Sequence, residues 1–107
     1  MKSKSEFDVK RGMILLANLK GLLTSKYGTL KPVLVIQNDK GNKHSPCTIV
    51  VVSNGEKDKR GFFVWDFDLV FTIDKKRLQS FIGYILSDEL WKIQDTLNQS
   101  LISVKQS

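Results

Sequence analysis

Hydrophobic and polar residues fall into five short apolar stretches, followed near the C-terminus by a different period. The apolar stretches are residues 13–19, 32–37, 47–53, 62–74 and 80–86. They are rich in β-branched and aromatic residues, which favour strands, and turn-forming residues separate them. Beyond Ser87, apolar side chains recur at helical spacing, at Leu90, Ile93, Leu97, Leu101 and Val104. The pattern predicts a mainly β fold: a five-stranded, mainly antiparallel sheet or partly open barrel, closed by one C-terminal α-helix.

Two of the predicted strands carry further information. Residues 32–37 form a continuous apolar run, which is typical of a strand that is buried on both faces. In residues 62–74 the aromatic side chains alternate with Asp66 and Asp68. Because successive side chains of a strand point to opposite faces, we expect the aromatic face on the core and both carboxylates on the other face.

The length of 107 residues suits one compact domain. We expect a loose N-terminal tail at residues 1–8 and a single domain at residues 9–107. No apolar run is long enough to span a membrane, so a cytoplasmic protein is expected. One cysteine, Cys47, and one histidine, His44, cannot build a multi-thiolate or multi-histidine metal site within one chain. No metal or cofactor is predicted.

The chain has a formal charge of +6, which favours a polyanionic partner, with nucleic acid first. Several cations come from two long predicted loops, residues 20–31 and 54–61. The candidates for nucleic-acid binding are Lys20, Lys26, Lys57, Lys59 and Arg60, with Tyr27 available to stack on a base. If the loops flank one groove, these residues form a track for phosphates; if they are spread over the surface, they only confer solubility.

Four stretches together resemble the MazF/PemK (Kid) toxin family. They are VKRGMILLANL (9–19), KPVLVIQNDKGNKHSPCTIVVV (31–52), TIDKKRL (72–78) and LSDELWKIQDTLNQSLISV (86–104). The resemblance implies a small SH3-like barrel with a C-terminal helix, usually a homodimer. It implies a bacterial toxin that an acidic antitoxin neutralises by covering the active groove. The typical activity is metal-independent cleavage of single-stranded RNA, in which the 2′-hydroxyl attacks the neighbouring phosphorus.

The chain departs from the family pattern at positions that matter for this chemistry. Lys31 stands where the family has its catalytic arginine, Lys26 replaces a glutamate, and Phe71 replaces an arginine. Lysine lacks the planar fork with which arginine grips two phosphate oxygens, so the exchange at Lys31 is not conservative. Lys31 is either a weakened phosphate-binding group or a surface lysine beside a loop.

The predicted catalytic set is Lys31, Ser53 and Asp68. By the resemblance, the family threonine falls at Ser53 or at Asn54, and an acidic position falls at Asp68. Asp68 would take the proton of the 2′-hydroxyl, Lys31 would neutralise the phosphate or donate a proton, and Ser53 would bind a phosphate oxygen. The alternative is that these residues have no catalytic role: the carboxylates are solvated surface residues, and the serine is part of a turn.

The leading prediction is therefore an endoribonuclease toxin. One alternative is a toxin-fold protein with impaired catalysis that binds nucleic acid or an antitoxin. The other is a poison of a protein target such as DNA gyrase, which other toxins of this fold attack.

Overall fold

A computed structural model of the chain describes residues 8–23 and 28–106, with side chains as far as residue 98. Its strands are β1 (Met13–Asn18), β2 (Leu30–Val35), β3 (Cys47–Lys57), β4 (Phe63–Asp74) and β5 (Leu78–Tyr84). Its α-helices are α1 (Asp39–His44) and α2 (Ser87–Gln106), and a 3-10 turn (Lys75–Arg77) joins β4 to β5. All strand pairs are antiparallel, in the order β4-β3-β2-β1-β5. The predicted fold class is confirmed: the sheet has five strands, is not closed, and is followed by a C-terminal helix.

The core forms on one face of the three central strands. Alternate residues of β1, β2 and β3 are buried there together with residues from β4, β5 and the flanking segments. These residues are Val9, Met13, Leu15, Ala17, Leu19, Val33, Val35, Val50, Val52, Ile73 and Leu78. Leu34 and Val51 lie between core residues in their strands and are also fully buried. The prediction that the second strand is buried on both faces is therefore confirmed.

The segment between β2 and β3 contains a short helix where the sequence predicted only a turn. The side chain of Asn38 caps α1 by accepting a hydrogen bond from the amide of Gly41 at 2.7 Å. Asn42 lies in this helix and is buried. A helix of six residues is too short to show an apolar period, so turn-forming residues dominated the sequence pattern.

Strand β4 does not keep one alternation along its length. The neighbouring residues Val51 and Val52 of β3 pair with Val70 and Asp66 of β4, so the residues between those two partners bulge out of the ladder. Within the bulge, the amide of Asp68 donates a hydrogen bond to Asp66 Oδ1 at 3.0 Å. The bulge changes which side chains of β4 share a face.

The aromatic residues of β4 consequently divide between two faces. Leu69 and Phe71, on the C-terminal side of the bulge, pack against the core. Phe63 and Trp65, on its N-terminal side, line a groove on the opposite face. The prediction that all the aromatic residues of this strand face the core is therefore wrong for its first half, because the bulge breaks the period of two.

Helix α2 follows the predicted stripe where its side chains are described. Ile93 is buried, and Leu90 and Leu97 are half-buried. The side chains of Leu101 and Val104 lie outside the described residues, and so do residues 1–7 of the predicted tail at residues 1–8. The helices in the described part of the chain are too short or too polar to cross a lipid bilayer.

Candidate active site

Lys31 occupies the end of the core-facing row of β2. It is the second residue of that strand, it pairs with Ala17 of β1, and it is half-buried. Because side chains alternate, Lys31 shares the face of Val33 and Val35. The lysine therefore stands where the apolar row ends and solvent begins.

Asn54 lies two residues beyond the last pair of β2 with β3, which is Val33 with Val52. By alternation, Asn54 lies on the same side of β3 as Val52, and Lys31 lies on the same side of β2 as Val33. Asn54 is exposed, and its Nδ2 donates a hydrogen bond to Glu56 Oε2 at 3.1 Å. Of the two positions to which the resemblance assigned the family threonine, Asn54 is the one on the face of Lys31.

Ser53 lies on the other face of β3 and has no exposed surface. Its Oγ accepts a hydrogen bond from the amide of Gly55 at 3.0 Å. Gly55 has a φ of 99°, a left-handed conformation that glycine adopts without steric cost. The serine therefore shapes a bend in β3, and the fold does not bring its hydroxyl to the face that carries Lys31.

The two aspartates of β4 have different environments. Asp68 is exposed within the bulge of the edge strand. Asp66 is also exposed, but it pairs with Val52, so it shares the core-facing side with Val52 and Lys31. The sequence predicted both carboxylates on the face away from the core, and this is wrong for Asp66, because Asp66 and Asp68 have the same parity and only the bulge distinguishes them.

The predicted nucleic-acid-binding residues fall into two groups. Lys20 is exposed beyond β1, and its amide donates to Asn18 Oδ1 at 3.0 Å. Lys26 and Tyr27 lie in the same connection but outside the described residues. Because neighbouring strands are antiparallel, β1 and the β3–β4 hairpin reach the same end of the sheet, where the β1–β2 connection begins. This arrangement is compatible with a shared track for phosphates.

The β3–β4 hairpin carries the second group, and its cations differ in availability. Lys59 is exposed, whereas Lys57 Nζ lies 5.0 Å from the centroid of the Phe63 ring. The guanidinium of Arg60 pairs with Asp58 at 3.0 Å and with Glu89 of α2 at 3.1 Å. The hydrogen bond from Arg60 lowers the pKa of Glu89. Arg60 therefore connects the hairpin to α2, in addition to any role in binding an anion.

Arg77 organises the end of β1 and was not singled out at the sequence level. Its Nη1 donates hydrogen bonds to the carbonyl oxygens of Asn18 at 3.0 Å and of Lys20 at 2.9 Å. Asn18 also accepts a hydrogen bond from Thr29 Oγ1 at 3.4 Å, immediately before β2. The position of Arg77 in the TIDKKRL stretch was the available signal. Arg77 therefore fixes the backbone at the end of β1, from which the chain continues to β2 and Lys31.

Neither histidine nor cysteine contributes to this face. His44 is exposed at the end of α1, and Cys47 is half-buried at the start of β3. Among the residues that the structure describes, no group of three His, Cys, Asp or Glu side chains is arranged to hold a metal ion.

An apolar groove of about 330 Å³ lies on the opposite face of the sheet. Ile14, Phe63, Trp65, Ile82, Tyr84 and Leu86 are among its lining residues. Phe81 is also exposed on β5, its ring lies 5.3 Å from that of Tyr84, and Trp91 of α2 is 73% exposed. The exposed apolar patch, defined here as Phe81, Ile82, Tyr84 and Leu86, is a surface of the kind that proteins use for association.

Comparison with known proteins connects this site to a family. A family model described as "PemK-like, MazF-like toxin of type II toxin-antitoxin system" matches residues 10–65, which is more than half of the chain. The matched segment contains Lys31, Ser53 and Asn54, and it ends directly before Asp66.

Solved structures with the same fold support the match. An endoribonuclease in complex with its cognate antitoxin, from a mycobacterial species, is 23% identical over 88% of this chain and 93% of that chain, with a TM-score of 0.67. A second mycobacterial endoribonuclease is 20% identical over 89% and 92%, with a TM-score of 0.69. The MazE-MazF complex from Deinococcus radiodurans is 14% identical over 89% and 97%, with a TM-score of 0.68. At these identities the likeness is one of fold, and the family match over residues 10–65 carries the assignment. The chain belongs to the family of PemK-like and MazF-like toxins of type II toxin–antitoxin systems.

Proposed function

We propose that this toxin is an endoribonuclease that cleaves single-stranded RNA without a metal ion. The 2′-hydroxyl of one nucleotide attacks the neighbouring phosphorus, which leaves a cyclic phosphate and a free 5′-hydroxyl. The observation that carries the proposal is the half-buried Lys31 at the end of the core-facing row, within the segment that matches the toxin family. The net charge of +6 adds support, since it favours a polyanionic substrate.

Lys31 is proposed to neutralise charge on the phosphorane and to protonate the leaving 5′-oxygen. A lysine is a point charge, whereas the family arginine can hold two phosphate oxygens at once. The missing contact corresponds to about 1–3 kcal/mol, or about ten- to a hundredfold in rate. A slow enzyme is therefore expected. The sequence predicts Ser53 and Asp68 as the partners of Lys31, but Ser53 is fully buried on the other face of β3.

The purified chain should cleave a long single-stranded RNA in the presence of EDTA. Mapping of the fragment ends should find 2′,3′-cyclic phosphates and 5′-hydroxyls. Lys31→Ala should lower the rate at least about tenfold, because it removes the charge at the phosphorane. Lys43→Ala, which removes an exposed lysine of α1 outside the predicted site, is the matched control and should leave most of the activity. Absence of such ends at micromolar protein, or equal activity of the Lys31→Ala protein, refutes the enzyme proposal.

Loss of catalysis with retention of binding is the second candidate function. The lysine in place of the family arginine and the burial of Ser53 favour it. Lys31→Arg separates the two candidates. A gain of about tenfold or more in cleavage supports a weakened but intact site. No gain, together with RNA binding that weakens steeply as salt rises, supports the binding protein.

We further propose that this protein is cytoplasmic, that its partner is an antitoxin of acidic composition, and that its working form is a homodimer. The net charge of +6 supports an acidic partner. Two of the structures with the same fold are described as complexes with an antitoxin or with MazE. The exposed apolar patch supports contact between two copies. Co-expression with an acidic protein encoded next to this chain should yield a complex that cleaves no RNA. A freely separable mixture that retains full activity contradicts the proposed partner.

A further inference from the structure

We infer that the carboxylate which acts with Lys31 at the phosphodiester is Asp66 rather than Asp68. By the same geometry, the group that binds a non-bridging phosphate oxygen is the side-chain amide of Asn54. This inference deepens the proposed function and rests on it for the RNA substrate. The sequence-based prediction placed these roles on Asp68 and Ser53; Asp66 was not among the candidates, and Asn54 was the alternative position to Ser53.

The inference begins with the register on either side of the β4 bulge. Val70 pairs with Val51, whose side chain faces away from the main core, and Asp68 has the parity of Val70. Asp66 instead pairs with Val52, a core residue. The residues between the two pairs are displaced from the ladder. Because of this bulge, Asp66 lies on the core-facing side of β4, beside Val52.

Spacing across the sheet brings Asp66 and Lys31 within reach of one phosphate. Strands β2 and β4 flank β3, and neighbouring strands lie about 4.8 Å apart, so these two residues are about 9.6 Å apart across the sheet. They also differ by one row, about 6.7 Å along the strands, which sets their Cα atoms about 12 Å apart. Side chains of a strand stand roughly perpendicular to the sheet, so both groups point out of the same face, and the flexible lysine side chain can lean toward Asp66 to enclose a phosphate and its ribose hydroxyl.

The hydrogen bonds of these side chains leave the required groups accessible. Asp66 Oδ1 accepts the amide of Asp68, which orients the carboxylate, while Oδ2 accepts no hydrogen bond from any residue that the structure describes. Asn54 is exposed, and its Nδ2 holds only the exposed Glu56 at 3.1 Å. Ser53, by contrast, is fully buried and bonded to the chain itself. The hydroxyl of Ser53 could contact RNA only if β3 opened.

The reaction balances with these groups. The carboxylate of Asp66 takes the proton of the 2′-hydroxyl, and the 2′-oxygen forms a bond to phosphorus. The bond from phosphorus to the 5′-oxygen breaks, and that oxygen takes a proton from the ammonium of Lys31. The amide of Asn54 donates to the non-bridging oxygen, whose charge grows in the transition state. Exchange of one proton with water at each residue then restores both side chains.

Two isosteric variants on the same bulge form the first test. Asp66→Asn keeps the Oδ1 acceptor for the Asp68 amide and removes the base. Asp68→Asn changes the neighbouring carboxylate in the same way and is the comparison variant. In single-turnover cleavage of RNA, Asp66→Asn should be slower than wild type by about a hundredfold or more, and it should lose at least about tenfold more activity than Asp68→Asn. A larger loss for Asp68→Asn overturns the inference.

Asn54→Ala and Ser53→Ala form the second pair. Loss of the amide donor at Asn54 should slow cleavage by at least about tenfold. Ser53→Ala should lower the melting temperature, because it removes a buried hydrogen bond, but its cleavage rate well below that temperature should stay above the rate of Asn54→Ala. A Ser53→Ala protein that stays folded but cleaves more slowly than Asn54→Ala contradicts the assignment of the phosphate-binding group.

A binding measurement separates failure of this inference from failure of the proposed function. A short single-stranded RNA with 2′-O-methyl groups throughout cannot be cleaved, because the nucleophile is blocked. In NMR spectra it should shift the carboxyl carbon of Asp66 and the side-chain amide of Asn54. If these shifts occur and the wild type cleaves no RNA, the enzyme proposal fails while the site assignment stands. If the RNA shifts the Asp68 carboxyl alone, or neither carboxyl, the inference is overturned whether or not the protein cleaves RNA.

Discussion

Substitution of Asn42 by alanine should destabilise the fold strongly, although the residue lies in α1, a helix of six residues between β2 and β3. Asn42 is 2% exposed. Its Oδ1 accepts hydrogen bonds from Thr48 Oγ1 at 2.6 Å and from Gln37 Nε2 at 3.0 Å, and its Nδ2 donates to the Gln37 carbonyl at 2.9 Å. The carbonyl of Asn42 also accepts a hydrogen bond from Lys75 Nζ. One side chain therefore joins α1 to β3 and to the end of β2.

The magnitude follows from which partners lose their hydrogen bonds. Gln37 Nε2 keeps a bond to the Cys47 carbonyl at 3.2 Å, so it is not left unpaired. The fully buried hydroxyl of Thr48 loses its acceptor, and the Gln37 carbonyl loses its donor. An unpaired buried group costs about 1–3 kcal/mol. Asn42→Ala should therefore lower the free energy of unfolding by about 3 kcal/mol, against a typical total of about 5–15 kcal/mol for a domain.

Urea unfolding followed by tryptophan fluorescence and by circular dichroism measures this loss. Lys43→Ala, an exposed residue of the same helix, is the control and should change the stability by less than about 0.5 kcal/mol. Thr48→Val removes the hydroxyl that Asn42→Ala leaves unpaired, so the double variant should be more stable than the sum of the single effects by about 1 kcal/mol. A loss below about 1 kcal/mol for Asn42→Ala, or strict additivity with Thr48→Val, refutes the buried network as the cause.

Three further predictions concern charge, the β1–β2 connection and association. Arg60 lowers the pKa of Glu89 below its ordinary value of 4.5, so their ion pair stabilises the fold above that pH and is lost as pH falls through the folded pKa. Arg60→Ala should therefore show a shallower acid-side decline in urea stability than wild type; an unchanged decline contradicts the role of the pair. Arg77→Gln should speed amide exchange in residues 19–23 by about tenfold, because it weakens two hydrogen bonds that hold this segment; exchange equal to wild type counts against that role. Tyr84→Lys, at a residue 63% exposed in the apolar patch, should shift a dimer to monomer in sedimentation velocity, whereas Lys92→Ala should not; a Tyr84→Lys dimer of unchanged affinity excludes this surface.

The strands, the core and the C-terminal helix could be predicted from local pattern. Central strands such as β2 are continuous apolar runs because both of their faces are covered, and helix α2 shows a stripe because one face of it is covered. The motifs that resemble the toxin family also pointed to Lys31, whose place at the end of a core-facing row follows from simple alternation within one strand.

The remaining features depend on contacts between distant parts of the chain. A bulge depends on how two strands pair, so no period within β4 distinguishes Asp66 from Asp68. The ion pair of Arg60 with Glu89 joins residues 29 apart, and the anchor from Arg77 to Asn18 joins residues 59 apart. The sequence by itself determined the strands, the C-terminal helix and the position of Lys31 at the end of a core-facing row, because burial imposes a local period. Only the tertiary structure decided which polar groups stand beside that cation, because pairing register is a property of two strands together.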